Sequence, residues 1–152
     1  MEVKIRNGER KDLEFLVEAQ IAMALESEDL ALDKEVLTNG INHLFDNPDS
    51  GSYLIASIED KPVACSLILN EWSDWRNGNV IWIHSVFVLP QYRKMGVFKK
   101  IYGHIKESVQ RDSSLKGIRL YVEKENARAQ EVYSKLGMDG DHYKLYEWLP
   151  EG

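Results

Sequence analysis

The residues best suited to bind an anion lie in one short loop near the middle of the chain. Residues 80–89 are mostly β-branched, aromatic or aliphatic, and such a run predicts a strand deep within a sheet. Pro90 ends the run, and Arg93, Lys94 and Gly96 follow in a polar loop. If a helix begins there, its first N–H groups favour an anion, the two cations add charge, and the glycine admits a bulky ligand. The loop is a candidate diphosphate site, although an ordinary solvated loop fits this composition equally well.

A second set of residues could bind a cation. The turn from Glu71 to Gly78 contains two tryptophans and two carboxylates, and carboxylates beside aromatic faces favour an ammonium group. The candidate residues of this turn for binding a cationic substrate are Trp72, Asp74 and Trp75. The alternative is that both indoles pack against the protein and the acids are simply solvated.

The periodicity of apolar residues predicts the elements that position these side chains. A helix directly after the basic loop is predicted from the spacing of Val97, Ile101, Ile105 and Val109. Other helices are predicted at about 33–45 and 126–136, and an earlier one carries Leu13, Leu16, Val17 and Ala24 with Asn7 as its N-cap. Strands are predicted at 3–6, 53–58, 63–72, 80–89, 117–123 and 143–149. This order is that of an α/β domain with a mixed sheet, in which one helix crosses over between two parallel strands.

Composition limits the classes of function. The 152 residues are 43% hydrophobic and 29% charged, as expected for one globular domain over residues 1–152. A net charge of −6 argues against nucleic acid as a partner, because such a partner needs a clustered basic face. No membrane interaction is expected, since no apolar run is long enough to span a bilayer. The single cysteine and the lack of a signal-peptide core predict a cytoplasmic location. The four histidines are too dispersed for a local ligand pair, so no metal is expected.

The segment from Val86 to Phe98, V-F-V-L-P-Q-Y-R-K-M-G-V-F, resembles the acyl-CoA signature of the GNAT superfamily of N-acetyltransferases. That signature is a strand ending in V-x-V-x-P, followed by R-x-x-G-x-G or R-x-x-G-x-A. Every position matches except the last, where Phe98 stands in place of Gly or Ala. P-loop and dinucleotide-binding fingerprints fit the sequence less well. The resemblance implies acetyl-CoA as co-substrate, bound by Val86, Phe87, Val88, Arg93, Lys94, Met95, Gly96, Val97, Phe98 and Lys99.

A second segment, E-N-A-R-A-Q-E-V-Y-S-K-L-G-M from Glu125 to Met138, resembles the N-x-x-A-x-x-x-Y-x-K-x-G-[FM] motif of the same superfamily. The resemblance implies that Asn126 holds the pantetheine arm of the cofactor and that Tyr133 protonates the departing thiolate. A phenol with a pKa near 10 is a workable proton donor to an alkyl thiolate. A helical tyrosine is also commonly a core aromatic with its hydroxyl at the edge, and the motif alone favours that role. Together with the loop from Arg93 to Phe98, the motif favours the proton-donor role for Tyr133.

The resemblance covers nearly the whole chain and implies the GNAT fold, a mixed and mostly antiparallel sheet of about six to seven strands flanked by four helices. It also implies direct acetyl transfer to a primary amine in a ternary complex, and that amine must lose a proton before attack. His84 and Glu71 are the candidate general bases. Other members of the family use a chain of water molecules for this step, and His84 is as readily explained as a structural strand histidine.

In the resembled fold the turn from Glu71 to Gly78 and the link that carries Glu26 and Glu28 both border the acceptor cleft, so the resemblance adds Glu26 and Glu28 to the substrate-binding candidates. The substrate turn resembles that of the polyamine and thialysine branch, although that branch carries two adjacent acidic residues where His84 and Ser85 stand. A small cationic amine is therefore the expected acceptor. The alternative acceptor is a peptide or protein amine, and the alternative from another class is a non-catalytic acyl-CoA-binding sensor. A homodimer is expected only because it is common in the family.

Overall fold

The centre of the fold is a five-stranded sheet, seen in a computed structural model that describes residues 2–150. The strands are β1 (Lys4–Asn7), β2 (Gly51–Ile58), β3 (Lys61–Ser73), β4 (Gly78–Val88) and β5 (Leu115–Leu120). The first four pair antiparallel in chain order, and β5 is added parallel to β4. A parallel pair needs a long crossover connection, which here contains a helix.

Four α-helices accompany these strands in the described residues. They are α1 (Leu13–Glu28), α2 (Lys34–Asp46), α3 (Val97–Arg111) and α4 (Ala127–Lys135). Short 3-10 turns at Arg10–Asp12 and Pro90–Tyr92 precede α1 and α3. The sheet and the first three helices belong to a compact unit that ends at Leu120, whereas α4 belongs to a second unit that begins at Tyr121.

Helices cover both faces of the sheet in the first unit. Because successive strand residues point to opposite faces, Tyr53 and Ile55 of β2 pack in one core with Leu16 of α1 and Ile41 of α2. The intervening Leu54 instead borders a cavity of about 140 Å³ beside α3, together with Ile68, Ile81, His104 and Ile105. The apolar positions of α3 that the sequence predicted are buried at Val97, Ile101 and Ile105. The sheet therefore separates the α1–α2 layer from α3.

The start of α1 differs from the prediction that Asn7 is its N-cap. Asn7 is the last residue of β1, and the helix is instead entered through Asp12, which is buried. The Asp12 carboxylate accepts two hydrogen bonds of 2.8 Å from Arg6 and one of 2.8 Å from the N–H of Glu9. Local spacing could not indicate this arrangement, because it depends on a partner in the preceding strand.

The predicted closing strand at 143–149 was wrong, and so was the total of six to seven strands. In residues 2–150 the sheet has five strands, and 143–149 has no regular structure. A strand requires a hydrogen-bonded neighbour, and no strand pairing involves this segment in the part of the chain that the structure describes. Its apolar residues, including Tyr146 and Trp148, are exposed instead. The last strand of the sheet is β5, which is shorter at its C-terminal end than the predicted strand at 117–123.

Candidate active site

The two parallel strands part before β4 ends, and this leaves one edge of β4 open. The last pair between them is Ile83 with Leu120, whereas β4 continues to Val88. On its other side β4 stays paired with β3 as far as Ala64 and Val88. The N–H of Leu89 also donates to the carbonyl of Val63 over 2.9 Å.

That last bond fixes which main-chain groups face the open edge. In an antiparallel pair, the residues that bond to the neighbouring strand alternate with residues that point the other way. Leu89 bonds to β3, so by alternation Phe87 also faces β3. The main-chain groups of Val86 and Val88 then point toward the open edge. The register therefore makes Val86 and Val88 better partners for a ligand strand than Phe87.

His84 lies where β4 contains an extra residue. Leu67 pairs with Ser85, and the next residue of β3, Ile68, pairs with Ile83, so His84 is the bulged residue. Bulges bend a strand and re-aim its side chains, and they are frequent beside active sites. The His84 ring is exposed and lies 5.8 Å from the Trp82 ring. Partial burial still lowers the pKa of His84 below its usual value of 6.5, so that the imidazole is mainly neutral at pH 7 and able to accept a proton.

The loop after β4 has the geometry of an anion-binding turn. Lys94 and Gly96 both have left-handed backbones, with φ of 65° and 77°, and α3 begins at Val97. In the part of the chain that the structure describes, the N–H groups of Lys94, Met95, Gly96 and Val97 donate to no acceptor. Consecutive amides in such a turn form a concave site for an anion, and the helix dipole adds to the attraction. A Cβ built on Gly96 would meet nothing within 4 Å, so the space above this residue is open.

Phe98, the residue that departs from the family signature, lies in the first turn of α3. Its ring is 6.3 Å from the ring of Tyr102, one turn further along the helix. Tyr102 is itself buried. The Phe98 side chain is therefore accommodated by packing along α3.

Arg93 is held by protein groups on several sides. Its two terminal nitrogens donate to the Glu26 carboxylate over 2.7 and 2.9 Å, and its Nε donates to the carbonyl of Val88 over 2.9 Å. The guanidinium also lies 5.4 Å from the centre of the Phe87 ring. These contacts border a cleft of about 340 Å³ lined by Met23, Glu26, Ser27, Val86, Phe87, Val88 and Arg93. The cleft thus follows the end of β4 and the end of α1.

The acidic residues predicted to attract a cation are only partly available. Glu26 is paired with Arg93, and Glu71 accepts a hydrogen bond of 3.0 Å from Arg119 of β5. Glu28 and Asp74 are exposed, and neither forms an ion pair in residues 2–150. Since two of these carboxylates are neutralised by arginines, the region is less acidic than the sequence indicates.

The tryptophans of the predicted substrate turn are exposed. Trp72 lies near the end of β3 with 61% of its surface exposed, and Trp75 lies in the turn after β3 with 91% exposed. The Asp74 carboxylate accepts a hydrogen bond of 2.9 Å from the N–H of Trp75. The alternative that both indoles are buried packing residues is therefore wrong, and their faces are accessible to a ligand.

Sequence reasoning missed two polar residues that contact the predicted ones. Gln20 of α1 donates from Nε2 to the hydroxyl of Ser85 over 3.2 Å, directly beside the bulge. Arg119 pairs with Glu71 from the neighbouring strand. A polar residue among the apolar positions of α1 was the only sequence signal for Gln20, whereas nothing local indicated the partner of Arg119.

The second unit contains the other predicted motif. Asn126 is the N-cap of α4, and its side-chain oxygen accepts a hydrogen bond of 3.1 Å from the N–H of Ala129. Gly137, with φ of 89°, follows the helix, and the N–H of Met138 donates to the carbonyl of Tyr133 over 3.1 Å. A glycine with a left-handed backbone after the last turn is a common way for a helix to end. Burial raises the pKa of the Tyr133 phenol above 10.0, so that its hydroxyl remains protonated at neutral pH.

Residues 2–150 contain no cluster of histidine, cysteine or acidic side chains arranged to hold a metal ion. None of the helices in these residues is both long enough and apolar enough to cross a membrane.

Comparison with known proteins identifies the type of protein to which this geometry belongs. The family model described as the acetyltransferase (GNAT) family matches residues 16–138. The crystal structure of "a possible acetyltransferase" from Clostridium difficile 630 is 38% identical, with a TM-score of 0.92 and 100% of both chains covered.

Two aminoglycoside acetyltransferases share the fold at lower identity. AAC(6')-Iy in complex with CoA is 14% identical, with a TM-score of 0.78 over 97% of this chain and 95% of that one. Meta-AAC0020, from an uncultured soil metagenomic sample and in complex with sisomicin, is 16% identical, with a TM-score of 0.74 over 97% of both chains. At these identities the likeness concerns the fold alone.

Proposed function

Because the chain belongs to the acetyltransferase (GNAT) family and is an acetyl-CoA-dependent N-acetyltransferase, we propose that it acetylates a primary amine on a small cationic molecule. Acetyl-CoA supplies the acetyl group as a thioester. The observation that carries the proposal is the open edge of β4, which leads directly into the turn of unpaired amides at Lys94 to Val97.

This arrangement fits the two chemically distinct parts of the cofactor. The main-chain groups of Val86 and the N–H of Val88 are proposed to pair with the pantetheine amides, as one strand pairs with another, while the Val88 carbonyl accepts from Arg93. The N–H groups of Lys94 to Val97 are proposed to hold the diphosphate. The exposed Lys94 and Lys99 add positive charge beside these amides. Met95 belongs to this turn and Phe98 to the first turn of α3, and in both the main chain, rather than the side chain, is the part suited to this role.

The proton transfers are assigned from side-chain chemistry. His84 is proposed to accept a proton from the incoming ammonium, because its lowered pKa keeps the imidazole neutral near pH 7. Glu71 is the weaker candidate because its carboxylate is paired with Arg119. Tyr133 is proposed to donate a proton to the departing thiolate, which the motif around it supports. Asn126 remains a candidate contact of the pantetheine arm through its side-chain nitrogen, since its oxygen caps α4.

The preference for a cationic acceptor rests on the accessible aromatic and acidic groups. The exposed Trp72 and Trp75 can bind an ammonium over their faces, and Glu28 and Asp74 add negative charge. The resemblance to the polyamine and thialysine branch supports polyamines as acceptors, and the fold shared with aminoglycoside acetyltransferases makes aminoglycosides a second group to test. A peptide amine is the remaining alternative. The homodimer and the cytoplasmic location stay predictions.

The test is a screen for thiol release from acetyl-CoA. Purified protein is incubated with acetyl-CoA and, in separate reactions, with polyamines, aminoglycosides, amino acids or lysine-containing peptides. Reactions without an amine give the background of hydrolysis. We expect turnover with at least one small polycationic amine and a tenfold lower kcat/KM with peptides. Faster turnover with peptides would contradict the proposed acceptor class, and no turnover with any amine, despite cofactor binding, would contradict an enzymatic function.

A further inference from the structure

Arg93 bridges two segments that are distant in the chain. Glu26 lies in the last turns of α1 and Arg93 in the loop after β4, 67 residues apart. Both terminal nitrogens of the guanidinium engage both carboxylate oxygens, over 2.7 and 2.9 Å. Such a two-bond fork fixes the orientation of the guanidinium as well as its position.

The third contact of Arg93 reaches the strand that borders the cleft. Its Nε donates to the carbonyl of Val88 over 2.9 Å, and by the strand alternation this carbonyl points toward the open edge of β4. The two terminal nitrogens of Arg93 are therefore bound by Glu26, while its Nε is bound by the carbonyl of Val88. Arg93 lies immediately before Lys94, the first of the four amides that are proposed to bind the diphosphate.

We propose that Glu26 is a positioning residue that, through Arg93, fixes the end of β4 and the first residue of the phosphate-binding turn. The inference rests on the proposed function of that turn. Arg93 then supports cofactor binding by holding the cleft in shape, and its contribution does not come from direct contact with phosphate. Glu26 is correspondingly removed from the group of carboxylates that attract the acceptor amine, because Arg93 neutralises its charge.

This proposal and direct phosphate contact predict opposite effects of the variant Glu26→Gln. If Arg93 bound phosphate directly, loss of the Glu26 charge would release the guanidinium and remove a nearby negative charge, so CoA would bind equally well or more tightly. If Glu26 positions Arg93, the variant weakens the fork and CoA binds less tightly. The pair is partly exposed, so we expect an increase in Kd of roughly 3- to 10-fold, measured by calorimetry with CoA alone.

Two further variants separate positioning from a general loss of stability. Glu18→Gln removes the same charge from an exposed position of α1 and should leave the Kd of CoA unchanged. Arg93→Lys should also raise the Kd of CoA, because an ammonium keeps the charge but cannot form the two-bond fork. The midpoint of thermal unfolding should be similar in all of these variants, since a partly exposed ion pair contributes little to stability.

A double-mutant cycle gives the decisive comparison. In the Arg93→Ala background, Glu26→Gln should no longer change the Kd of CoA, because the guanidinium through which it acts is gone. An unchanged or lower Kd in Glu26→Gln alone would overturn the proposal, as would an equal effect in both backgrounds. Failure of the wild-type protein to bind CoA would instead contradict the proposed function, so the two outcomes are distinguishable.

Discussion

Ile83 and Leu120 form the last pair between the two parallel strands, and β4 extends beyond that pair to Val88. The separation leaves main-chain hydrogen-bonding groups of Val86 and Val88 facing an open edge. Unpaired strand edges bind extended ligands readily, and this edge ends beside a turn of four N–H groups that donate to no acceptor in residues 2–150. A ligand that joins an extended amide-containing arm to an anionic group fits this arrangement, with the arm along the edge of β4 and the anion in the turn.

Gly96→Ala tests the turn through backbone conformation. With φ of 77°, an added Cβ causes strain of about 1–2 kcal/mol, although it would contact no other atom within 4 Å. We expect lower thermal stability and weaker CoA binding by calorimetry, because the strained turn no longer aligns its amides.

Gly103→Ala is the matched control for that variant. Gly103 lies inside α3, where an added Cβ also has open space, and alanine should raise the free energy of unfolding by about 1 kcal/mol. CoA affinity should not change. Equal effects of both substitutions on CoA binding would show that the conformation of Gly96 is unimportant for the site.

His84→Gln tests the assignment of the general base through pH dependence. The pKa of His84 is lowered by partial burial, so the neutral base persists below pH 6.5, and the acid limb of kcat/KM should lie below that value. In the variant this acid limb should disappear, and kcat/KM should fall by about 10²-fold. An unchanged pH profile in the variant would show that another group accepts the proton.

Tyr133→Phe removes the proposed proton donor and leaves the ring in place. If the hydroxyl protonates the departing thiolate as proposed, kcat should fall by about 10²-fold while the Kd of CoA stays the same. Tyr146→Phe, in the exposed segment 143–149, is the control and should retain full activity. A wild-type kcat in Tyr133→Phe would reject the donor role.

Asp12→Asn tests the contact that anchors α1. The Arg6 hydrogen bonds, together with the N–H of Glu9, hold the pKa of Asp12 below 3.8. A lowered carboxyl pKa stabilises the fold above pH 3.8, and the stabilisation disappears as the pH falls through the folded-state pKa. At pH 7 the free energy of unfolding, measured with denaturant, should be about 2 kcal/mol lower in the variant than in the wild type. This difference in stability should vanish in strong acid.

The exposed pair of Arg10 with Asp46 supplies the control for that measurement. Asp46→Asn should lower the free energy of unfolding by at most about 1 kcal/mol at pH 7, because solvent screens the charges. A loss as large as that of Asp12→Asn would show that burial of Asp12 is not what makes its contact strong.

The central strand, the turn and α3 could be predicted from sequence because their signals are local. Pro90 ends the apolar run, and the spacing of Val97, Ile101 and Ile105 indicates the helix. The bulge at His84 could not be predicted, because it exists only in the register of β4 against β3. The pairing of Arg93 with Glu26 joins residues 67 positions apart, and no local pattern indicates it.

The wrong prediction at 143–149 shows the opposite limitation. Its aromatic and aliphatic residues have the composition of a strand, but composition does not provide a neighbouring strand. Tyr146 and Trp148 are instead exposed in a segment without regular structure. The composition of a segment thus predicts its propensity, whereas pairing depends on the rest of the fold.

A crystal structure with acetyl-CoA would show whether the cofactor lies along the open edge of β4 and in the turn that follows it. We expect the diphosphate within hydrogen-bond distance of the N–H groups of Lys94 to Val97, and the pantetheine arm along Val86 and Val88. A nucleotide bound elsewhere, with these amides facing only solvent, would contradict this expectation.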